Sequence, residues 1–314
     1  MKNKEDLIMA YVAGLIDGDG SISLIKEKRA NGFKYYPCIQ LSNVFEDMVT
    51  FLHDTFGGCK KIKSRQAHSK KTQYVWNVRG LESCKNVISK ILPFLVLKQR
   101  QGRKLLNYIC NPTEINPEIE RLEIQGFNLD SHTSDGKVSK QAKKNTDDEC
   151  FWAYFAGIMD TEGSFSVKKT SPSWGCKSYR FTPMIQLTMA SFDAMNHIRK
   201  NFCFGRICFP KAKTTQRGFA YKLMVIKSFD CIEMIKRLTP YLRFKCMAAD
   251  ELVNFCQNMQ PVKHKQKGVS ESELRFRETC YENIKRINEG EVYKPTLIDL
   301  EAHDMGDKAE AQAP

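Results

Sequence analysis

The chain has 314 residues, 42% of them hydrophobic, enough for two ordinary domains with cores of their own. A formal charge of +13 and a pI near 9.1 favour a polyanionic partner. No run approaches the ~20 apolar residues of a membrane span, and the 12 cysteines and 6 histidines are scattered without zinc-site spacing, which points to reduced, mostly buried thiols in an intracellular protein.

In chain order, the first predicted element is a short apolar helix through Val12-Ala13-Gly14-Leu15-Ile16, closing on Asp17-Gly18-Asp19-Gly20 and running into a strand at Ser21 to Leu24. A second strand follows, in which Phe33, Tyr35, Pro37, Ile39 and Leu41 alternate with Lys34, Tyr36, Cys38, Gln40 and Ser42, one set for the core and one for the outside. Pro37 marks a bulge or an unpaired ladder position. A helix near 46–56, two more strands and two helices complete a domain over 1–110. Residues 111–148 carry linker chemistry: two Asn-Pro steps, the Ser131-His132-Thr133-Ser134-Asp135-Gly136 run, the basic Lys140 to Lys144, and a short helix at Pro117 to Ile124.

The pattern then starts again over 149–260. Phe155-Ala156-Gly157-Ile158-Met159-Asp160-Thr161-Glu162-Gly163 repeats Val12 to Gly20, and Tyr179 to Thr188 repeats the alternating strand, with Pro183 for Pro37. Asp19 and Glu162 lie 143 residues apart, Ile39 to Ser42 and Ile185 to Thr188 lie 146 apart, and Pro93 to Lys98 and Pro240 to Lys245 lie 147 apart. Offsets this steady indicate a duplicated domain. Past about Met259 the sequence repeat ends. A basic segment, a helix over Glu271 to Asn288 and a disordered stretch from Asp307 to Pro314 are expected within 261–314.

Small residues recur four apart on both motif helices: Ala10, Gly14, Gly18 and Ala153, Gly157, Thr161. Residues four apart share a helix face, and glycine inside a helix costs about 1 kcal/mol against alanine. Close approach of two backbones explains it, and packing the two helices together brings Asp19 and Glu162 side by side. Paired carboxylates on a basic protein suit metal-dependent chemistry on a nucleic-acid backbone.

The doubled motif resembles that of the monomeric, two-motif LAGLIDADG homing endonucleases encoded in group I introns, over about residues 5–110 and 147–259. The resemblance implies an α+β fold, two pseudo-symmetric αββαββα units whose antiparallel sheets form a saddle on DNA. It implies Mg²⁺ as cofactor, two or three ions per active centre with Mn²⁺ or Ca²⁺ substituting in binding, held by Asp19 and Glu162 with the backbone carbonyls of Gly18 and Thr161. Asp17 and Asp160 belong to the helix motif and are not metal ligands. Lys98 and Lys245 are expected to stabilise charge or orient solvent beside the metals. Asn43 matches a solvent-positioning site, whereas its counterpart is Met189, which makes unequal strand cuts an expectation.

On the outward sheet faces, the residues suited to bases or phosphates are Ser23, Lys34, Tyr36, Gln40, Lys63, Arg65, Asn77 and Arg79 in the first half. In the second they are Ser166, Lys168, Arg180, Gln186, Arg206 and Lys222, and the basic loop Lys60 to Lys71 is expected to grip the backbone. The implied activity is double-strand cleavage across the minor groove of a long asymmetric target, leaving short 3′ overhangs, by a monomer encoded in a plastid or mitochondrial intron. The main alternative is an intron maturase that binds RNA to assist splicing. A DNA-binding regulator without catalysis need not keep both carboxylates and both lysines.

Overall fold

The computed structural model describes residues 3–63, 72–130, 139–172, 178–209, 220–260 and 269–290. The first unit runs α1 (Lys4–Asp19), β1 (Gly20–Arg29), β2 (Gly32–Asn43), α2 (Glu46–Phe56), β3 (Cys59–Lys63), β4 (Gln73–Arg79), α3 (Leu81–Ile91) and α4 (Gln99–Cys110), followed by α5 (Pro117–Asp130). The second repeats this as α6 (Glu149–Glu162), β5 (Gly163–Thr170), β6 (Arg180–Met189), α7 (Phe192–Asn201), β7 (Arg206–Cys208), β8 (Tyr221–Val225), α8 (Ser228–Leu238) and α9 (Cys246–Asn258), followed by α10 (Glu271–Glu289). Each unit holds one four-stranded antiparallel sheet, ordered β1-β2-β4-β3 and β5-β6-β8-β7. This is the expected α+β architecture.

The strand alternation fixes the sheet faces. Ile22, Leu24, Ile39, Leu41, Trp76 and Val78 are buried on the helix-covered side of the first sheet, as are Phe165, Val167, Ile185, Leu187, Leu223 and Val225 in the second. No bulge occurs at either proline. The β1–β2 register is unbroken from Gly20↔Leu41 to Arg29↔Gly32, and Pro37 sits just past the last β2–β4 pair, Cys38↔Arg79. Pro183 likewise precedes the β6–β8 ladder, which starts at Ile185. A missing N–H costs nothing at these positions, the unpaired alternative of the two expected.

The motif helices α1 and α6 pack on each other as the seam between the units. Asn3 and Asp148 cap them by accepting from the amides of Glu5 and Cys150. Both are buried all round, from Met9 to Asp17 and from Cys150 to Asp160, as a helix held between two domains must be. A Cβ on Gly14 would lie 2.1 Å from the Tyr154 carbonyl oxygen, and one on Gly157 2.2 Å from that of Tyr11. The glycines are there to let backbone meet backbone.

Pseudo-symmetry runs further in space than in sequence. The helix expected at Pro117 to Ile124 extends to Asp130 and packs on α4 and β1, with Ile124 buried. Its Glu118 meets Lys26 at 3.1 Å, the Tyr35 hydroxyl and Arg121. Helix α10 packs on α9 and β5 in the same manner, burying Cys280 and Ile284 and pairing Glu278 with Lys169. Lys26 lies over the Phe33 and Tyr35 rings and Lys169 over those of Tyr179 and Phe181. Each unit thus clamps a flanking helix through a lysine seated between aromatic rings and a carboxylate. The stretch expected to be disordered, Asp307 to Pro314, lies outside the described residues.

Candidate active site at the ends of the paired helices

Asp19 and Glu162 are the last residues of α1 and α6. The glycines that follow are not in the left-handed region: Gly20 has φ −83° and Gly163 φ −82°. They are required by space, because a Cβ there would lie 2.7 Å from the Ile16 or Met159 carbonyl oxygen.

Two residues back, Asp17 and Asp160 are buried, 1% and 0% exposed. Asp17 accepts from the backbone N–H groups of Val96, Leu97 and Lys98 at 2.8–2.9 Å. Asp160 accepts from those of Arg243, Phe244 and Lys245 at 2.9–3.1 Å. These amides open α4 and α9, whose first residues have no side-chain cap of their own, so each aspartate caps a helix far along the chain from its own. Each also accepts from a tyrosine of the other unit: Tyr154 to Asp17 at 3.0 Å, Tyr11 to Asp160 at 2.7 Å.

The lysines at the starts of these helices turn back onto the motif helices. Lys98 Nζ donates to the carbonyls of Ile16 (2.8 Å) and Asp17 (2.7 Å). Lys245 Nζ donates to those of Met159 (3.0 Å), Thr161 (3.0 Å) and Gly163 (2.6 Å). An ammonium has three N–H donors; among the described residues the Lys245 contacts use all three and those of Lys98 two. A cation on the last carbonyls of a helix also complements its dipole. Burial pulls both ammonium groups below the usual lysine range, opposed first by Asp17 or Asp160 and then by Asp19 and Glu162.

Asn43 ends β2 with the parity of the core-facing residues, so its side chain turns toward the end of α1. Its Nδ2 donates to Asp19 Oδ2 at 2.6 Å, and its Oδ1 accepts from the Phe45 amide at 2.9 Å. The counterpart Met189 is buried, and among the described residues Glu162 makes no hydrogen bond. Burial raises the Asp19 carboxyl, against the Asn43 hydrogen bond and then Lys245 and Lys98. Glu162 reaches solvent at the rim of the site, yet its protein surroundings and then the charge of Asp19 raise it too, against the same lysines. Beside Asp19 opens a cleft of about 540 Å³ lined by Asn43, Gln73, Thr161, Ser164 and Lys245, with Phe45, Phe244 and Met247 on its apolar side.

The sheet-face residues divide by exposure. Ser23, Lys34, Tyr36, Gln40, Lys63, Asn77 and Arg79 share the face of the first sheet away from the helices, as do Ser166, Lys168, Arg180, Gln186, Arg206 and Lys222 in the second. Asn77 departs from expectation: it is 4% exposed, flanked on the central strand β4 by Gln40 and Cys59, and is not open to a base edge. The hydroxyls of Ser23 and Ser166 donate to the neighbouring carbonyls of Cys38 and Met184, which leaves them as acceptors. Arg79 lies over the Tyr36 ring at 5.7 Å. Arg65 and most of the loop Lys60 to Lys71 fall outside the described residues.

Sequence reasoning missed the two tyrosines. A signal existed, since Tyr11 and Tyr154 sit at the same 143-residue offset as the acids, each a hydroxyl in an otherwise apolar helix.

Two antiparallel sheets flank a packed helix pair, with an acid closing each helix, and this is a fold shared with solved two-unit LAGLIDADG proteins. Residues 12–114 match the family model described as LAGLIDADG endonuclease; the first unit is such a domain by sequence, and the whole chain has the two-unit fold. The structure of I-SmaMI bound to uncleaved DNA in the presence of calcium ions superposes with a TM-score of 0.64 at 14% identity, over 88% of this chain and 98% of that one. The LAGLIDADG homing endonuclease I-LtrWI bound to target DNA gives 0.63 at 16% identity, over 90% and 98%. The LAGLIDADG meganuclease I-AabMI bound to uncleaved DNA gives 0.61 at 14%, over 87% and 98%. No curated protein sequence matches the chain.

Proposed function

We propose that the chain is a monomeric, site-specific double-strand DNA endonuclease, dependent on Mg²⁺, that cuts across the minor groove of a long asymmetric target. The observation that carries this is the delivery of Asp19 and Glu162 by the paired helices at the junction of two sheets whose open faces carry basic side chains. The two sheets present different residues, Lys34, Tyr36 and Arg79 against Arg180, Arg206 and Lys222, so an asymmetric target follows. The DNA complexes of I-SmaMI, I-LtrWI and I-AabMI support a duplex partner, and no described feature favours the RNA-binding alternative.

The donor set fits a hard divalent cation. Glu162 stands close enough to Asp19 to feel its charge, desolvation raises both carboxyls, and among the described residues neither is paired directly with a lysine. Such oxygen-rich, under-compensated sites suit Mg²⁺. Asp19 and Glu162 would hold it, with the Gly18 carbonyl; that of Thr161 is already shared with Lys245. When bound, the metal supplies charge stabilisation at the phosphoryl oxygens and a more acidic water.

The chain's own residues do the rest. Asn43 fixes one carboxylate oxygen of Asp19 and leaves the other for its ligand. Lys245 and Lys98 hold the helix ends in place and set a positive field behind both acids, and the two carbonyl contacts of Lys98 among the described residues leave it one N–H for solvent or phosphate.

Cleavage of duplexes selected from a randomised library, with Mg²⁺ and with the Asp19→Asn and Glu162→Gln variants, tests the reading. Discrete double-strand cuts lost in both variants, with binding kept, are expected. Variants that cut like wild type would overturn the site, and a wild type that binds no duplex would overturn the function.

A further inference from the structure

Each motif aspartate has four hydrogen-bond donors, three from the backbone of its own unit and one from across the seam. The tyrosines that supply the fourth are buried, and their crossing is reciprocal. Asp17 holds the amides of Val96 to Lys98, and the ammonium of that same Lys98 closes on the end of α1 two residues before Asp19. Asp160 does the same for Arg243 to Lys245, and Lys245 closes on the end of α6 at Thr161 and Gly163, either side of Glu162. Tyr154 of the second unit is therefore connected to the Asp19 half, and Tyr11 of the first unit to the Glu162 half. A hydroxyl donating to a buried carboxylate belongs to the stronger class of hydrogen bond, and losing it leaves the acid desolvated with one donor fewer.

We propose that Tyr11 and Tyr154 are positioning residues, each fixing the active-site lysine and helix end of the opposite unit, so that neither half of the site is complete without the other. The phenol touches no substrate. It acts by holding the carboxylate in the one orientation that receives three successive amides. Its influence is crosswise: Tyr154→Phe disturbs the Lys98 side and Tyr11→Phe the Lys245 side. A merely structural role for two buried tyrosines in one seam would loosen both sides alike.

The inference rests on the proposed nuclease reading for its catalytic arm only. Hydrogen exchange on the full-length, metal-free protein supplies an arm that does not need cleavage. Tyr154→Phe is expected to speed exchange of the amides at 96–98 about tenfold and to leave 243–245 unchanged, and Tyr11→Phe to do the reverse. On a duplex selected with wild type, each variant is expected to slow one strand cut about tenfold more than the other, with the favoured strand exchanged between the variants and affinity within about twofold of wild type. Equal effects of the two variants on both sets of amides, or equal slowing of both strands, overturns the proposal. A wild type that cuts no duplex while the exchange pattern holds overturns the nuclease reading and leaves the positioning intact.

Discussion

Replacing Gly14 by alanine separates two effects of opposite sign. Alanine improves the helix by about 1 kcal/mol. Against that, its Cβ would stand 2.1 Å from the Tyr154 carbonyl oxygen, 3.0 Å from the Ile158 nitrogen and 3.1 Å from the Gly157 Cα. Ordinary contact begins near 3.4 Å, so the shortest of these is short by 3.4 − 2.1 = 1.3 Å. All three atoms are backbone, and no rotamer change relieves them; the helices must move apart. Overpacking costs about 1–3 kcal/mol and on occasion more; an overlap this deep against backbone takes the upper end of that range, so after the helix gain the substitution is expected to destabilise by about 2 kcal/mol net, a fall of roughly 4–8 °C in Tm. The same displacement shifts Asp19 relative to Glu162, so cleavage should fall further than DNA affinity. Gly126 in α5 is the control, because a Cβ there meets nothing within 4 Å. Gly126→Ala should raise stability by about 0.5–1 kcal/mol. Thermal unfolding of the two variants beside wild type is the assay. A Gly14→Ala protein with Tm at or above wild type would falsify the close-packing argument.

Three further outcomes are expected. Glu118 is held near a pKa of about 2, by Arg121 first, then Tyr35 and Lys26. Its folded value lies below its unfolded one, so its contribution is complete above about 4.5 and is lost as pH falls from there toward 2; exchange protection of α5 should weaken over that window, and a Glu118→Gln protein whose α5 keeps the same pH profile would remove the clamp from the account. Lys245→Met should destabilise more than Lys98→Met: the Ile16 and Met159 carbonyls keep the N–H groups of Gly20 and Gly163, so Lys98→Met takes a donor from Asp17 alone and Lys245→Met from Thr161 and Gly163; a cost of about 1–3 kcal/mol for a carbonyl left without a donor is readable by urea unfolding, and an equal or inverted order counts against it. Asn43→Ala removes the bond that holds Asp19 and should slow the proposed Mg²⁺-dependent cutting about tenfold with affinity kept, whereas Met189→Ala, which removes no bond to Glu162, should act through stability instead; the pair is compared by single-turnover cleavage beside Tm.

Much of this was legible along the chain. The apolar run ending in Asp-Gly-Asp-Gly and its degraded copy located both helices, their acids and the duplication, and period-two alternation assigned the sheet faces. These are short-range properties: a helix face is set by residues four apart and a strand face by residues two apart, and each is complete in the sequence. The small residues even announced the close seam, because glycine inside a helix is costly unless a neighbour requires the space.

What only the tertiary structure decided were contacts between residues far apart in the chain. Asp17 could be assigned to its helix but not to the amides of Val96 to Lys98. Lys98 and Lys245 were placed beside the site, yet their ammonium groups point at helix carbonyls rather than at the acids. Asn77 has the parity of an outward residue and is buried by its neighbours on adjacent strands. Helices α5 and α10 share no repeat in sequence and still clamp their sheets through the same kind of lysine cage. Parity and periodicity say which way a side chain leaves the backbone. What it then meets depends on how two helices cross and how two units dock, and for Tyr11 and Tyr154 that docking sets a hydroxyl beside a carboxylate of the other unit.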